Sequence, residues 1–287
     1  MTASGTSGHG AELARSFDLG ELGAVVVKSL SAEPWAGNPA PRVHQAAAGM
    51  LNSVGLQNPG VEAWVEHELP ELRATGARVV ASIWGFTVEA YEKAASMLAG
   101  VPGLLAVEVN VSCPNVEDRR RMFAHSATAT AEAIDATAAA GLPRWAKLSP
   151  NVTDLTEIAA AARGAGAEAL TLVNTVMGMA IDPTTRRPRL GGGGGGLSGP
   201  AIHPVAVRAV YDVHAALPDA PIVGVGGVAT GEDAAELLLA GASAVQVGTA
   251  TFARPKAPLL VLRELARWCR RQQVSTIDEL IGAAHAR

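Results

Sequence analysis

The chain has 287 residues, of which 48% are apolar and 17% charged, with a formal net charge of −4. That balance suits a globular domain with a sizeable core, argues against nucleic acid as the main partner, and leaves no apolar run of the ~18–20 residues that a membrane span needs. Two cysteines, Cys113 and Cys269, are too few for a disulfide framework or for an iron–sulfur cluster of the chain's own, and no basic-then-apolar leader opens the sequence, so the natural setting is a reducing cytoplasm.

Short runs rich in apolar and β-branched residues recur at 24–28, 79–83, 105–110, 144–148, 169–174, 221–225 and 244–248. Alanine-rich segments of helical character lie between them, at 88–98, 129–140, 155–165 and 231–240. Strands alternating with helices predict a parallel sheet in one α/β domain over 1–287. An eighth strand would close the seven into a (β/α)8 TIM barrel, and Thr2-Ala3-Ser4 is the candidate, a first strand cut short. A doubly wound open sheet is the alternative, disfavoured because no G-x-G-x-x-G stands between the first strand and its helix.

The strand ends carry the chemistry. Apolar residues give way to Lys28 and Ser29, to Asn110, to Lys147 and Ser149, to Asn174 and Thr175, to Gly226-Gly227 and to Gly248-Thr249. In a barrel these ends converge on the face where active sites lie. The two glycine sites fall in the loops that commonly cradle a phosphate, since glycine lets backbone N–H groups come close to an anion. Asn110-Val111-Ser112-Cys113-Pro114-Asn115 packs one thiol and two carboxamides into six residues. The thiol can act as a proton acceptor or a nucleophile, and each carboxamide can both donate to and accept from a planar polar ligand. A turn around a buried, inert thiol is the plainer alternative.

Other features promise less. Gly191–Gly196 reads as a flexible lid or bulge, with a more constrained turn at Leu197-Ser198-Gly199-Pro200. Arg119-Arg120-Arg121 reads as a solvated loop. The histidines at 9, 44, 67, 125, 203, 214 and 285 lack metal-ligand spacing and read as surface or core residues, so no metal site is expected. Cys269, beside Trp268 in a basic C-terminal helix, reads as structural.

Taken in order, five motifs carry a family resemblance: Asn52-Ser53-Val54-Gly55-Leu56-Gln57-Asn58-Pro59-Gly60, Asn110–Asn115, Lys147-Leu148-Ser149-Pro150-Asn151-Val152, Gly196-Leu197-Ser198-Gly199-Pro200-Ala201, and Ala240–Ala244 leading into Val247-Gly248-Thr249. With them the chain, over nearly its whole length, resembles the catalytic subunits of the class 1B dihydroorotate dehydrogenases, FMN enzymes of pyrimidine synthesis. The resemblance implies a (β/α)8 barrel that oxidises dihydroorotate to orotate. It makes Cys113 the base that takes the C5 proton, with hydride passing from C6 to FMN. Asn52, Ser53, Val54, Gly55, Leu56, Asn110, Asn174 and Thr175 would hold the substrate. Lys28 would touch both substrate and flavin, and Lys147 would favour the charge of the reduced ring. Ser4, Ser29, Asn110, Val173 and Gly199 would line FMN, and Gly226, Gly227, Gly248 and Thr249 would hold its phosphate end.

Departures from the family pattern also follow from the resemblance. The family pattern has a longer N-terminal segment forming a hairpin before Ala3-Ser4-Gly5, so either the start is misassigned here or the barrel lacks that staple. Ser82 stands where an Asn approaches FMN. The loop 116–125 and the glycine run replace more varied segments. The resemblance further implies a homodimer, and a heterotetramer with an electron-transfer subunit that carries FAD and a [2Fe–2S] cluster and reduces NAD+. Two alternatives remain open from sequence: a related FMN oxidoreductase acting on another pyrimidine or enone, and a non-catalytic barrel scaffold that has lost FMN. A thiol base must be thiolate to act, so either nearby lysines favour that form or the rate should climb toward alkaline pH.

Overall fold

A computed structural model describes residues 1–113 and 122–286. Its central element is a curled parallel sheet of seven strands in simple chain order: β1 (Val25–Val26), β2 (Val79–Ile83), β3 (Leu104–Asn110), β4 (Arg144–Leu148), β5 (Ala169–Leu172), β6 (Ile222–Val225) and β7 (Ala244–Gln246). All seven predicted strands are present. Several are shorter than their apolar runs, because the backbone leaves the ladder where the polar strand-end residues begin.

The two faces of the sheet differ. Val79, Ala81, Ile83, Val107, Val109, Ala146, Leu148, Leu170, Leu172 and Ile222 pack outward into the main core. Alternate residues, pointing the other way, are small toward the strand starts (Ala24, Val26, Val80, Ala106). Toward the strand ends they are buried and polar: Ser82, Glu108, Asn110, Lys147, Thr171 and Gln246. The period of two that separates these sets makes the inner face a polar floor below the strand ends.

Residues Met1–Ala3 engage both edges of the sheet. Ala3 N–H donates to Val247 O (2.9 Å) and Val247 N–H to Met1 O (2.9 Å) on the β7 side. Thr2 N–H donates to Ala24 O (3.3 Å), and Val26 N–H to the Thr2 hydroxyl (2.9 Å), on the β1 side. Met1–Ala3 thus lie between the two sheet edges with one isolated parallel bridge, Thr2 to Val247, and do not form a regular strand.

The helices cover the outer face: α1 (Val88–Ser96), α2 (Ala127–Ala136), α3 (Leu155–Gly164), α4 (His203–Ala216), α5 (Gly231–Ala240) and α6 (Ala257–Arg271). Thr87, Ser126 and Asp154 cap the first three by accepting from backbone N–H groups, and Thr230 with Asp233 forms a capping box on α5. Among the described residues no helix is long and apolar enough to cross a membrane.

Over the strand ends lies an antiparallel cap of four strands in the order Val43–Ala46, Gly49–Asn52, Gly195–Ser198, Val176–Gly178. This corrects the expectation for the glycine run. Gly195 and Gly196 form the third cap strand, with Gly196 paired to both Asn52 and Met177. A Cβ on Gly195 would collide with the Asn52 carbonyl, and one on Gly196 with the Thr175 side chain. Glycine here permits close strand approach. We expect Gly196→Ala to cost about 1–3 kcal/mol in a denaturant titration. Gly164→Ala at the end of α3, where a Cβ would meet nothing within 4 Å, should be neutral or stabilising by up to roughly 1 kcal/mol.

Candidate active site

Between strand ends and cap opens a cavity of about 1120 Å³, large enough for a cofactor and a small substrate together. It is lined by Ser4, Lys28, Ser29, Asn52, Ser53, Val54, Gly55, Leu56, Asn110, Lys147, Val173, Asn174, Thr175, Gly199, Gly226, Gly227, Gly248 and Thr249. Residues singled out from five separate motifs thus meet at one place. Two others do not line it: Ser82 and Cys113 are fully buried behind the wall.

For Ser82 this is a correction with a simple cause. Its side chain stops short of the cavity, and its hydroxyl instead lies 2.9 Å from the Ser29 hydroxyl, which lies 3.2 Å from that of Ser4. The short side chain is replaced in reach by a row of three hydroxyls.

Asn110 is the hub of the wall. Its Oδ1 accepts from Asn174 Nδ2 (3.1 Å) and from Ser112 N–H (3.2 Å), and its Nδ2 donates to Ser29 Oγ (3.4 Å). Its backbone carbonyl accepts two further protons, from the Tyr91 hydroxyl (2.7 Å) and from the Cys113 thiol (3.4 Å). Burial pushes the Cys113 thiol up to about 12, against a smaller downward pull from the Tyr91 hydroxyl, a donor beside the sulfur, and from the Lys28 charge. Of the two possibilities the sequence left open, Lys28 acts to favour the thiolate, but desolvation outweighs it, which leaves the alkaline climb in rate. Lys28 itself is lowered, by burial and by the Arg42 charge, with Cys113 opposing. His9, beside it, is brought down to about 4 by burial and by Lys28, against Glu12.

On the floor, Lys147 Nζ reaches Glu108 Oε1 at 3.4 Å, and Gln246 Nε2 donates to Glu108 Oε2 at 2.9 Å. Both side chains of the ion pair are buried, at 7% and 0% exposure. The Thr171 hydroxyl and Gln246 Oε1 have no hydrogen-bond partner among the described residues.

At the far end the backbone N–H groups of Gly227, Gly248 and Thr249 lie outside the sheet ladder and make no turn or loop hydrogen bond among the described residues. Gly227 has φ +72, and a Cβ there would lie 2.6 Å from His203 Cβ, so the backbone is bare of side chain where the turn is tightest. His203 donates from Nδ1 to Gly226 O (2.8 Å), and its Nε2 lies 3.0 Å from the Glu236 carboxylate. The Thr249 hydroxyl donates to Ser198 Oγ (2.8 Å), joining this loop to the cap.

Sequence reasoning missed several contributors. Asn151 donates to Ser149 Oγ (2.8 Å) and to Thr175 O (2.9 Å) and accepts from Met177 N–H (2.8 Å), so it ties a strand end to the cap. Asn38 supports Ser53 through a 2.9 Å hydrogen bond. Glu108 had a signal, a lone acid within an apolar run. Tyr91 and His203 lie on helices and had none. His203 thus does more than fill space, and His125 borders the cavity. No cluster of metal-ligating side chains occurs among the described residues. Asn115, the arginine run and most of the divergent 116–125 loop fall outside the described residues.

The dihydroorotate dehydrogenase family model matches residues 1–268. A dihydroorotate dehydrogenase B (NAD(+)) catalytic subunit from Desulforudis audaxviator is 50% identical over 286 residues, 99% of this chain and 93% of that protein. Another from Trichlorobacter lovleyi is 45% identical over 284 residues, with the same coverage of both. A Solibacter usitatus protein named provisionally as dihydroorotate dehydrogenase A (fumarate) is 48% identical over 283 residues, 98% of this chain and 93% of its own. With strand-end motifs, cavity and family match all covering the same residues, this chain belongs to the dihydroorotate dehydrogenase family.

Proposed function

We propose that this chain is an FMN-dependent dihydroorotate dehydrogenase of class 1B, oxidising dihydroorotate to orotate in pyrimidine synthesis in the cytoplasm. The observation that carries the reading is the meeting of a carboxamide-lined cavity with a thiol behind it and a lysine below it, in a chain of this family. The donor set fits FMN: the backbone N–H groups of Gly227, Gly248 and Thr249 at one end suit a phosphate, and the Lys147 ammonium on the floor suits an electron-rich ring edge. FMN, when bound, would accept hydride from C6 of the substrate.

The chain's own residues do the rest. Cys113, as thiolate, takes the C5 proton, which requires the thiol, buried behind the wall here, to reach into the cavity when substrate is bound. Asn52, Asn110, Asn174 and Thr175, with the backbone of Ser53–Leu56, hold and orient the carboxylate and amide edges. Lys28 places a cation between substrate and ring, and Ser4, Ser29, Val173 and Gly199 line the ring's bed. Residues Met1–Ala3 take the place of a first strand between the two sheet edges, giving one (β/α)8 barrel domain over 1–287. With two cysteines and no dinucleotide fingerprint, the chain needs a partner subunit carrying FAD and a [2Fe–2S] cluster to reduce NAD+, in a heterotetramer built on a catalytic homodimer.

Anaerobic titration of the yellow protein with dihydroorotate tests this. The flavin absorbance should bleach stoichiometrically, and NAD+ should fail to restore it without the partner. A flavin that stays oxidised under excess dihydroorotate sinks the reading.

A further inference from the structure

Cys113 is fully buried, and a buried thiolate is costly unless donors surround it. Among the described residues the charged and titratable groups acting on it are Lys28, from the end of β1, and Tyr91, from α1. Lys28 supplies charge. Tyr91 offers a hydroxyl that is 0% exposed and has a defined place. Its ring meets Phe123 edge to face, with centroids 5.3 Å apart. Phe123 N–H in turn donates to Cys113 O (3.1 Å), and Ala124 N–H to Val111 O (2.9 Å). Ring, thiol and Phe123–Ala124 therefore form one packed unit.

Within it, the Asn110 carbonyl holds two protons at once, from the Tyr91 O–H at 2.7 Å and the Cys113 S–H at 3.4 Å. A carbonyl oxygen has two lone pairs and can accept both. Once sulfur loses its proton it can only accept. The hydroxyl already bound to the same oxygen is then a donor within reach. Burial holds the Tyr91 phenol well above its ordinary value, so it keeps its proton throughout.

We propose that Tyr91 is a positioning residue for the base, its hydroxyl swinging from the Asn110 carbonyl to the Cys113 sulfur when the thiolate forms and holding that sulfur toward C5 of the substrate. This rests on Cys113 being the base. In the activating step the S–H bond breaks and the proton passes to solvent water. In the chemical step the C5–H bond breaks and its proton bonds to sulfur. The C5 electron pair becomes the C5–C6 double bond as hydride leaves C6 for the flavin. The Tyr91 hydroxyl gives up no proton in either step.

The test is Tyr91→Phe, which keeps the ring and its packing, and three measurements decide it. Alkylation of Cys113 by iodoacetamide, followed on the acid side of the thiol titration, should slow about 10–100-fold, the loss of one hydrogen bond to a charged acceptor. Flavin reduction by dihydroorotate should slow by a similar factor. Orotate affinity, read from the flavin spectrum, should stay at the parent value. Alkylation at the parent rate overturns the proposal, as does orotate affinity falling in step with reduction, which would mark Tyr91 as a packing residue. If Cys113→Ala reduces its flavin at the parent rate, the base assignment has failed instead, and the alkylation result still reports on Tyr91 and the thiol.

Discussion

Cys113→Ala should fold, bind flavin and stay yellow, yet be reduced by dihydroorotate some 10²–10⁴-fold more slowly, the usual contribution of a positioned base. The thiol lies behind the cavity wall, so its removal leaves the residues that hold ligand in place. The pH profile gives a second, independent sign. With the thiol pushed up to about 12, little of it is thiolate at neutral pH, and that fraction rises about tenfold per pH unit. Flavin reduction in the parent should therefore climb through the neutral and mildly alkaline range, and Cys113→Ala should lose that climb.

Stability moves the opposite way. The folded-state value lies above the unfolded one, so the folded protein keeps a proton that the unfolded chain releases. The thiol's contribution is complete below about pH 9 and is lost as pH rises toward about 12. Cys113→Ala should flatten that part of the stability curve. Stopped-flow reduction and denaturant midpoints across pH check both. An alanine variant reduced at the parent rate, with the parent's pH dependence, would remove Cys113 from the chemistry.

What could be read in advance follows physical lines. The seven parallel strands were legible because strands buried on both faces must be continuous apolar runs, and residues such as Lys28, Asn110 and Lys147 stood out by ending such runs. The cap was not legible. Val43–Ala46 alternates between exposed and half-buried positions, and the third cap strand is made partly of glycine, the residue that speaks most strongly against a strand when read alone. Its reason lies in the neighbours, Asn52 and Thr175, far away in sequence. Tyr91 and His203 were hidden for a related cause: each sits in an ordinary helix and acts through a backbone carbonyl, of Asn110 and Gly226 respectively. Side-chain motifs mark what touches a ligand, whereas support arriving from a helix end leaves no pattern. Ser82 shows the converse, a strand-end position whose side chain is too short to reach the cavity.

Lys147→Met should cost about 3–5 kcal/mol of stability, because it strands the Glu108 carboxylate in the core without its counter-charge. Glu108 is 0% exposed and keeps only the Gln246 amide, at 2.9 Å, as a donor among the described residues. Glu108→Gln should be costly as well, since it leaves the ammonium unpaired. The double variant Glu108→Gln/Lys147→Met removes both charges and should be more stable than the sum of the singles predicts, by a coupling of roughly 0.5–3 kcal/mol. Denaturant unfolding of the four proteins gives this cycle directly, and single losses under about 1 kcal/mol that simply add would mean that the pair is solvated rather than buried. The pair joins two functions of the inner face. Lys147 borders the cavity, while its partner stands two residues before Asn110 on β3, so the cation on the floor is fixed from within the sheet rather than from a loop. A lysine held in this way keeps its place whether or not a ligand is present, as a site prepared in advance for developing negative charge requires. The stability that the pair supplies and the electrostatics of the site thus rest on the same 3.4 Å contact.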